Sequence, residues 1–473
     1  MGENVTLFRS SFNKSLRIES RADRLTAEPG AVILREIMQR TGIIEWLVER
    51  LLDPRAPGKT TYPLAELLRT TLLLPGQGWR GRDDADAHRD DPGLRLAASS
   101  ARGTTPLGAE AHLASQPTLS RLIAVLSTPA TRDVLRAAIT VLAGRRLRAM
   151  RRGHRQRYLT IDVDSLPIEV HGHQPGSAWN GHYHRRMYHP LVASIAETGD
   201  ILDARLRAGN AHTADGALDF ILDLVDRAED TLCQVALVRI DAGFPDEKLL
   251  RGLERRGTPY VARLRNNKAL DRMASPWLRR PPGRPPAEPR LWFHEMAYRA
   301  GSWTRSRRVV LVVVERPEQL LLDRFWLITS LDAAAVPAAE LLELYRQRGR
   351  AEAHMGELMD VLDPALSSAP RAKRHYRGRR LAERESTIDA FAHNEVVLLL
   401  NILAYEVVHV GRCLIEAATG QGWSLRRFRD HVLRAAARVV ISGRRVTLVI
   451  GRACAQLWHR LWPQLERLRT TEP

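Results

Sequence analysis

Residues 158–172 read YLTIDVDSLPIEVHG, and the reading of this stretch decides the fold. Its residues are β-branched and alternating, the pattern of a half-buried β-strand. Asp162 and Asp164, two apart, then project from the same face of that strand. Strands are also predicted downstream at HPLVASIAETG and ILDARLRAG, joined by a turn at Glu197–Asp200. A helix at TADGALDFILDLVDRAE follows, with Thr213 or Asp215 as its cap. VALVRIDAGF reads as a short buried strand, PDEKLLRGLERRG as a helix and PYVARLR as another strand. Strands first, then strands alternating with helices, with acidic residues at strand ends, predict a mixed α/β sheet.

Upstream, residues 30–145 read as helical, because AVILREIMQRTGIIEWLVERLL and TYPLAELLRTTLLL carry apolar residues at three and four spacing. Turns are expected at Pro54–Gly58 and Pro75–Gly81. Within this separate helical unit, LASQPTLSRLIAVL has a Ser-Gln-Pro-Thr break that starts a new helix, capped at Thr118 or Ser120, as in a helix-turn-helix or any bundle pair. The basic run RRLRAMRRGHRQR, residues 145–157, places a domain boundary near residue 150.

Downstream, SPWLRRPPGRPPAEPR at 275–290 is a proline-rich break. Three strands without intervening helices come next, LWFHEMAYRA, TRSRRVVLVVVER and RFWLITSL, a β-rich element interrupting the α/β pattern. The chain then reads as helical from Pro337 to Leu362 and from Glu385 to Ala418, with RVVISGRRVTLVIG as a hairpin near the end.

The 473 residues, 44% of them hydrophobic, suffice for a sizeable core and two or three domains. Lys and Arg number 72 against 54 Asp and Glu, a net charge of +18. That balance favours a polyanionic partner, nucleic acid first, although the Arg-rich surface of a protein from a GC-rich genome would look the same. Cys233, Cys413 and Cys454 stand far apart, so neither a disulfide framework nor a thiolate zinc site is expected and a reducing compartment fits. MGENVTLFRSSFNKSL lacks the apolar segment of a signal peptide, and no run of about 18 apolar residues occurs. The most apolar stretch, VVLLLNILAYEVVHV, is interrupted by Asn401, Glu406 and His409 and reads as a buried helix of a soluble protein.

Three acidic positions carry the chemistry. Asp164, with Asp162 beside it, lies on the first strand, and Asp241 lies where a buried strand gives way to a glycine-containing loop. Glu352 follows Tyr345 and Arg348 at helical spacing in ELYRQRGRAEAHMGEL, which predicts one helical face for the three. Singly, each has a bland explanation: a strand-end cap, a turn former, a surface ion pair with Arg348. Jointly, acidic residues from two strands and a later helix can hold two hard cations about 4 Å apart and serve phosphoryl transfer. Arg348 would then neutralise phosphate charge.

Here the sequence resembles the DDE transposases of bacterial insertion sequences, in the branch with a Tyr-x2-Arg-x3-Glu signature. Tyr345, Arg348 and Glu352 match that spacing. Further similarity lies in DDADAHRDDPGLRLA, LASQPTLSRL, HGHQPGSAWNGHYHRRMYHPL, RLRAGNAHTADGA and IDAGF, so it covers most of residues 30–450. The resemblance implies an RNase H-like catalytic core with a β-rich insertion before the glutamate, preceded by a helical N-terminal domain. The expected divisions are 1–150 (helical, DNA-binding), 151–274 (first part of the core), 275–335 (insertion), 336–418 (second part, with the glutamate helix) and 419–473 (C-terminal region). It implies Asp164, Asp241 and Glu352 as catalytic metal ligands, Asp162 as the rival for the first position, and Mg2+ as the metal, with Mn2+ as a substitute. Seven residues past the glutamate, where relatives carry lysine, this chain has Met359.

The histidines His171, His173, His182, His184 and His189 match no closed zinc motif. By the resemblance they pack around the first aspartate, with His171 or Asn180 in a supporting or DNA-contacting role. The densest basic patch, RAKRHYRGRRLAER at 371–384, offers Arg371, Lys373, Arg374, Arg377, Arg379 and Arg380 to the DNA backbone, with Tyr376 available for stacking. A solvated helix face is the competing explanation. The expected function is cut-and-paste transposition by a cytoplasmic, nucleoid-associated bacterial enzyme. It would bind the terminal inverted repeats and target DNA as double strands, act as a homodimer in a synaptic complex, and involve no membrane. The rivals are an RNase H-like nuclease without strand transfer and a catalytically inactive DNA-binding repressor.

Overall fold

The computed structural model describes residues 8–9, 11–13, 15–18, 23–150, 158–283, 286–369 and 389–468. The stretch read first is a strand, β1 (Tyr158–Ser165), near the middle of an eight-stranded sheet. The sheet also contains β2 (Leu191–Ile195), β3 (Ile201–Arg205), β4 (Gln234–Ile240), β5 (Tyr260–Leu264), β6 (Arg290–Tyr298), β7 (Arg307–Glu315) and β8 (Asp323–Thr329), in the spatial order β6-β7-β8-β5-β4-β1-β2-β3. β2 runs antiparallel to β1 and β3 antiparallel to β2, whereas β4 is parallel to β1 and β5 parallel to β4. The three strands expected as a separate β-rich element instead continue this sheet, β8 pairing antiparallel with β5. The physical reason is edge pairing: β5 would otherwise present an open row of backbone donors and acceptors.

The alternation in β1 sorts its side chains as predicted. Leu159, Ile161 and Val163 enter a core shared with helices Ala217–Thr231 and Glu247–Arg256. Asp162 and Asp164 point to the opposite face, which helix Ala338–Arg346 covers through Leu341 and Leu342. β4 reaches that face by an irregularity. Its register against β1 shifts between Val235 and Leu237, so that Arg239 pairs with Asp162 and Ile240 with Val163. Val235 packs with the first core and Leu237 with the opposite one, although they are two residues apart. The extra residue, Ala236, therefore reverses the facing of all that follows it, Arg239 and Asp241 included.

Residues 30–150 are helical as expected, but they do not close a core of their own. Ile33, Leu34 and Ile37 of helix Gly30–Thr41 share one buried cluster with Leu398, Leu403 and Val407 of helix Ala390–Thr419, and with Leu461 and Leu465 of helix Arg452–Arg467. Val192, Ile201 and Ala204 of the sheet join the same cluster. Among the described residues, Ala390–Thr419 is the one helix long and apolar enough to cross a membrane, and 94% of its apolar window is buried inside the protein. Two of its polar residues are bonded inside the protein: Glu406 accepts from the Ile201 amide at 2.7 Å, and Asn394 donates to the Tyr188 hydroxyl at 3.1 Å.

Several local expectations shift. The Ser-Gln-Pro-Thr break does start a helix, Gln116–Val125, but its N-cap position is Ser115, ahead of Thr118 and Ser120. Helix Leu64–Gly76 runs through Pro75 in its last turn. Helix Ala217–Thr231 starts from Gly216, in the left-handed region at φ 68, and neither Thr213 nor Asp215 caps it. Asp215 instead accepts from the His212 amide at 2.9 Å, within a loop whose carbonyls are gathered by Arg207. The C-terminal hairpin forms as read, with Ser442 opposite Arg445 and Gly443 at φ 58 in the turn.

Candidate active site

Asp164 sits at the end of β1 and Asp241 directly after β4, so the parallel register brings the two carboxylates to neighbouring strand ends on one face. Tyr345 and Arg348 come from across that face. The helix expected to carry Tyr345, Arg348 and Glu352 continuously is two helices, Ala338–Arg346 and Gly349–Val361, meeting at Gln347 and Arg348. Both junction residues keep right-handed helical backbone angles, so the spacing survives the break and all three side chains still reach the site. Tyr345 donates its hydroxyl to Asp241 Oδ1 at 3.4 Å. Arg348 donates to Glu352 Oε1 at 2.9 Å and, through its other terminal nitrogen, to Asp164 Oδ2. Beside them opens a cavity of about 220 Å3 lined by Asp241, Arg263, Tyr345, Arg346, Arg348 and Glu352.

The electrostatics follow from this placement. Burial pushes the Asp164 carboxyl up; Arg348 opposes the rise, while Asp241 and Glu352 add to it. Burial works against the charge on Arg348 too, yet Asp164, Asp241, Tyr345 and Glu352 together hold its guanidinium above the usual range. The Tyr345 hydroxyl is pushed up to about 12, first by burial and then by Asp241 against the opposing Arg348, so it stays protonated as a donor. Glu352 is the exposed member, its side chain 62% accessible.

Asp162, the rival for the first position, is committed elsewhere. Both of its oxygens accept from Arg239 at 2.6 Å, the two side chains are each 1% exposed, and Arg239 also donates to the Leu344 carbonyl. That pair fastens β1 to β4 and to the helix bearing Tyr345.

Two contributors were not singled out in the sequence. Arg207 is buried and bridges the Ser165 hydroxyl (3.1 Å), the His189 carbonyl and the carbonyls of His212, Thr213 and Asp215, which braces the end of β1 beside Asp164. Burial, only partly offset by the charge of Asp215, lowers its guanidinium to about 10. Tyr183, in the histidine-rich stretch, lies within electrostatic reach of the site: after burial, Asp164 and Asp241 raise its hydroxyl. Asn180 shapes the turn that presents it, accepting from the amides of His182 and Tyr183 and donating to the Gly209 carbonyl. The histidines themselves could have drawn attention to this segment. Among the described residues, however, no cluster of three His, Cys, Asp or Glu side chains stands around one point as a metal site would require.

The same holds for the three carboxylates, because Arg348 lies between Asp164 and Glu352. Their chemistry nonetheless suits a hard divalent cation: they are oxygen donors only, they already converge on positive charge, and the cavity beside them is ion-sized or larger. The basic patch with Arg371, Lys373, Arg374, Arg377, Arg379 and Arg380 lies outside the described residues, as does the end of the run at 145–157.

The profile of the family described as "Transposase DDE domain group 1" matches residues 8–472. The chain belongs to that family of DDE transposases. Among solved structures, a piggyBac transposase in a synaptic complex with hairpin DNA, determined by cryo-EM, is similar to this DDE transposase at 12% identity. That similarity covers 87% of this chain and 80% of the other, with a TM-score of 0.39. No curated protein matches this transposase.

Proposed function

We propose that this chain is a cut-and-paste DNA transposase with an RNase H-like core, in which Asp164, Asp241 and Glu352 hold two divalent ions. The observation that carries the reading is that Arg348 bonds both Asp164, at the end of β1, and Glu352, on the facing helix, while Asp241, directly after the neighbouring strand β4, adds to the field on it. The strand order, three antiparallel strands followed by two parallel ones, supports the core assignment. The pairing of Asp162 with Arg239 supports Asp164 as the first ligand.

Mg2+, with Mn2+ as a substitute, would supply activation of the attacking water or 3′-hydroxyl and charge relief at the leaving 3′-oxygen. The chain's own residues do the rest. Tyr345 orients Asp241 through its hydroxyl, and the Arg239–Asp162 pair fixes the strand ends from which both aspartates project. Arg263 and Arg346, on the cavity wall, offer positive charge to the phosphates of the strand being cut. The helices of residues 30–150 and the patch at 371–384 would bind the inverted repeats and flanking DNA. A homodimer would hold two ends together, on the bacterial nucleoid. One feature favours a second reading, a binding protein that does not cut: Met359 packs against the helical core, at the position where the family resemblance implies a lysine.

The deciding experiment is cleavage of a supercoiled plasmid carrying both element ends, in Mg2+ or Mn2+. The parent protein is expected to cut at the element boundary. Asp241→Ala and Glu352→Ala are expected to lose cutting by at least about a hundredfold while still binding DNA. A parent that binds the ends but never cuts would establish the repressor reading instead.

A further inference from the structure

Arg348 is an unusual neighbour for a metal site. Its side chain is 8% exposed, and its two terminal nitrogens bond Asp164 and Glu352 while Asp241 adds to the field on it. The pair with exposed Glu352 is of the kind that contributes little by itself. The bond to Asp164 differs, since that carboxylate is largely buried and has Asp241 as a like-charged neighbour. A guanidinium so placed offsets the repulsion between the aspartates. It also sits on oxygens that an incoming cation would need.

We propose that Arg348 is a built-in counter-cation of the carboxylate site, which competes with divalent metal and keeps the DNA-free protein poorly loaded. The inference rests on the reading of Asp164, Asp241 and Glu352 as metal ligands. Metal can enter only as the guanidinium leaves, and a leaving guanidinium needs another anion. A DNA phosphate provides one, with the bidentate geometry that Arg favours. Metal loading is thereby coupled to DNA arrival, because each new ligand is favoured by what the other releases. Arg348 lies in the junction of the two helices, its amide donating to the Tyr345 carbonyl at 3.0 Å, so its side chain can swing while the backbone stays anchored.

The test is Mn2+ binding to the full-length, DNA-free protein, followed by the electron paramagnetic resonance signal of the free ion, for the parent, Arg348→Gln, Arg348→Met, Arg348→Lys and Asp241→Ala. Removing the charge in Arg348→Gln or Arg348→Met is expected to tighten Mn2+ binding about tenfold or more, the effect of one close opposite charge on a carboxylate. Arg348→Lys, which keeps the charge, is expected to stay near the parent. Thermal unfolding gives a second readout, in which Mn2+ raises the midpoint of the Gln and Met variants more than that of the parent. Equal affinity in parent and charge-removed variants, or tightening in Arg348→Lys as large as in Arg348→Gln, would overturn the proposal. Failure of both Gln and Met variants to fold even with Mn2+ would overturn it too, by making Arg348 a structural residue. If Mn2+ binds no variant at all, or binds Asp241→Ala as well as the parent, the metal-site reading itself has failed.

Discussion

Glu28 is 2% exposed, and burial drives its carboxyl up to about 7, with Arg434 opposing and Asp91 reinforcing the shift. Because the folded value lies above the unfolded one, the unfolded chain binds fewer protons between pH 4.5 and 7, and stability falls as pH rises through that window. Above it the loss is complete, on the order of 3 kcal/mol for a shift of this size. Glu28→Gln is therefore expected to stabilise the protein at pH 8 and to have little effect near pH 4, which denaturant titration at the two pH values will check. No sequence reading singles out Glu28, since its ionisation is set by burial and by Arg434 and Asp91, all brought to it only by the fold. The site aspartates were legible in a different degree. The alternation in YLTIDVDS puts Asp162 and Asp164 on one face, but nothing local says which is free. Arg239 decides that, and its partner is fixed by strand pairing.

The irregularity in β4 acts at the scale of the element. Were Ala236 paired as an ordinary strand residue, alternation from Val235 onward would turn Arg239 and Asp241 toward the core under helices Ala217–Thr231 and Glu247–Arg256; as an extra residue it leaves them on the site face. Deletion of Ala236 would let Leu237 follow Val235 with the pairing of Arg239 to Asp162 and the facing of Asp241 unchanged, and it is accordingly expected to leave Mg2+-dependent cleavage and folding intact. Cleavage assays and unfolding curves on the deletion variant will show whether both are retained; loss of both would mean that the bulge itself sets the facing of Asp241. A period of two read along VALVRIDAGF finds the strand but not its bulge, because an extra residue shows only against a partner strand. The break between helices at Gln347 and Arg348 was hidden for a related reason: both residues keep helical angles, so the spacing of Tyr345, Arg348 and Glu352 reads as one helix. The strands after the proline-rich segment were found from their own residues, whereas their pairing with β5 depends on an edge that only the assembled sheet presents.

At the scale of the molecule, the helical layer is built from both ends of the chain. Arg40 of the first helix donates to the carbonyl of Glu466 at 3.0 Å, and Trp458 donates to the Val432 carbonyl. Composition and periodicity predicted helices at 30–145 and after 385, but amphipathic faces do not say which of them will meet. A fragment of residues 1–150 alone would expose the apolar surface that helices Ala390–Thr419 and Arg452–Arg467 cover. It is expected to lack cooperative thermal unfolding by circular dichroism, whereas the full chain shows it. The arrangement also sets an order of events during synthesis. Helix Arg452–Arg467 leaves the ribosome after every other helix described, so the layer remains open until that helix has emerged. A product stopped before this helix would then be a substrate for cellular proteases rather than a stable fragment.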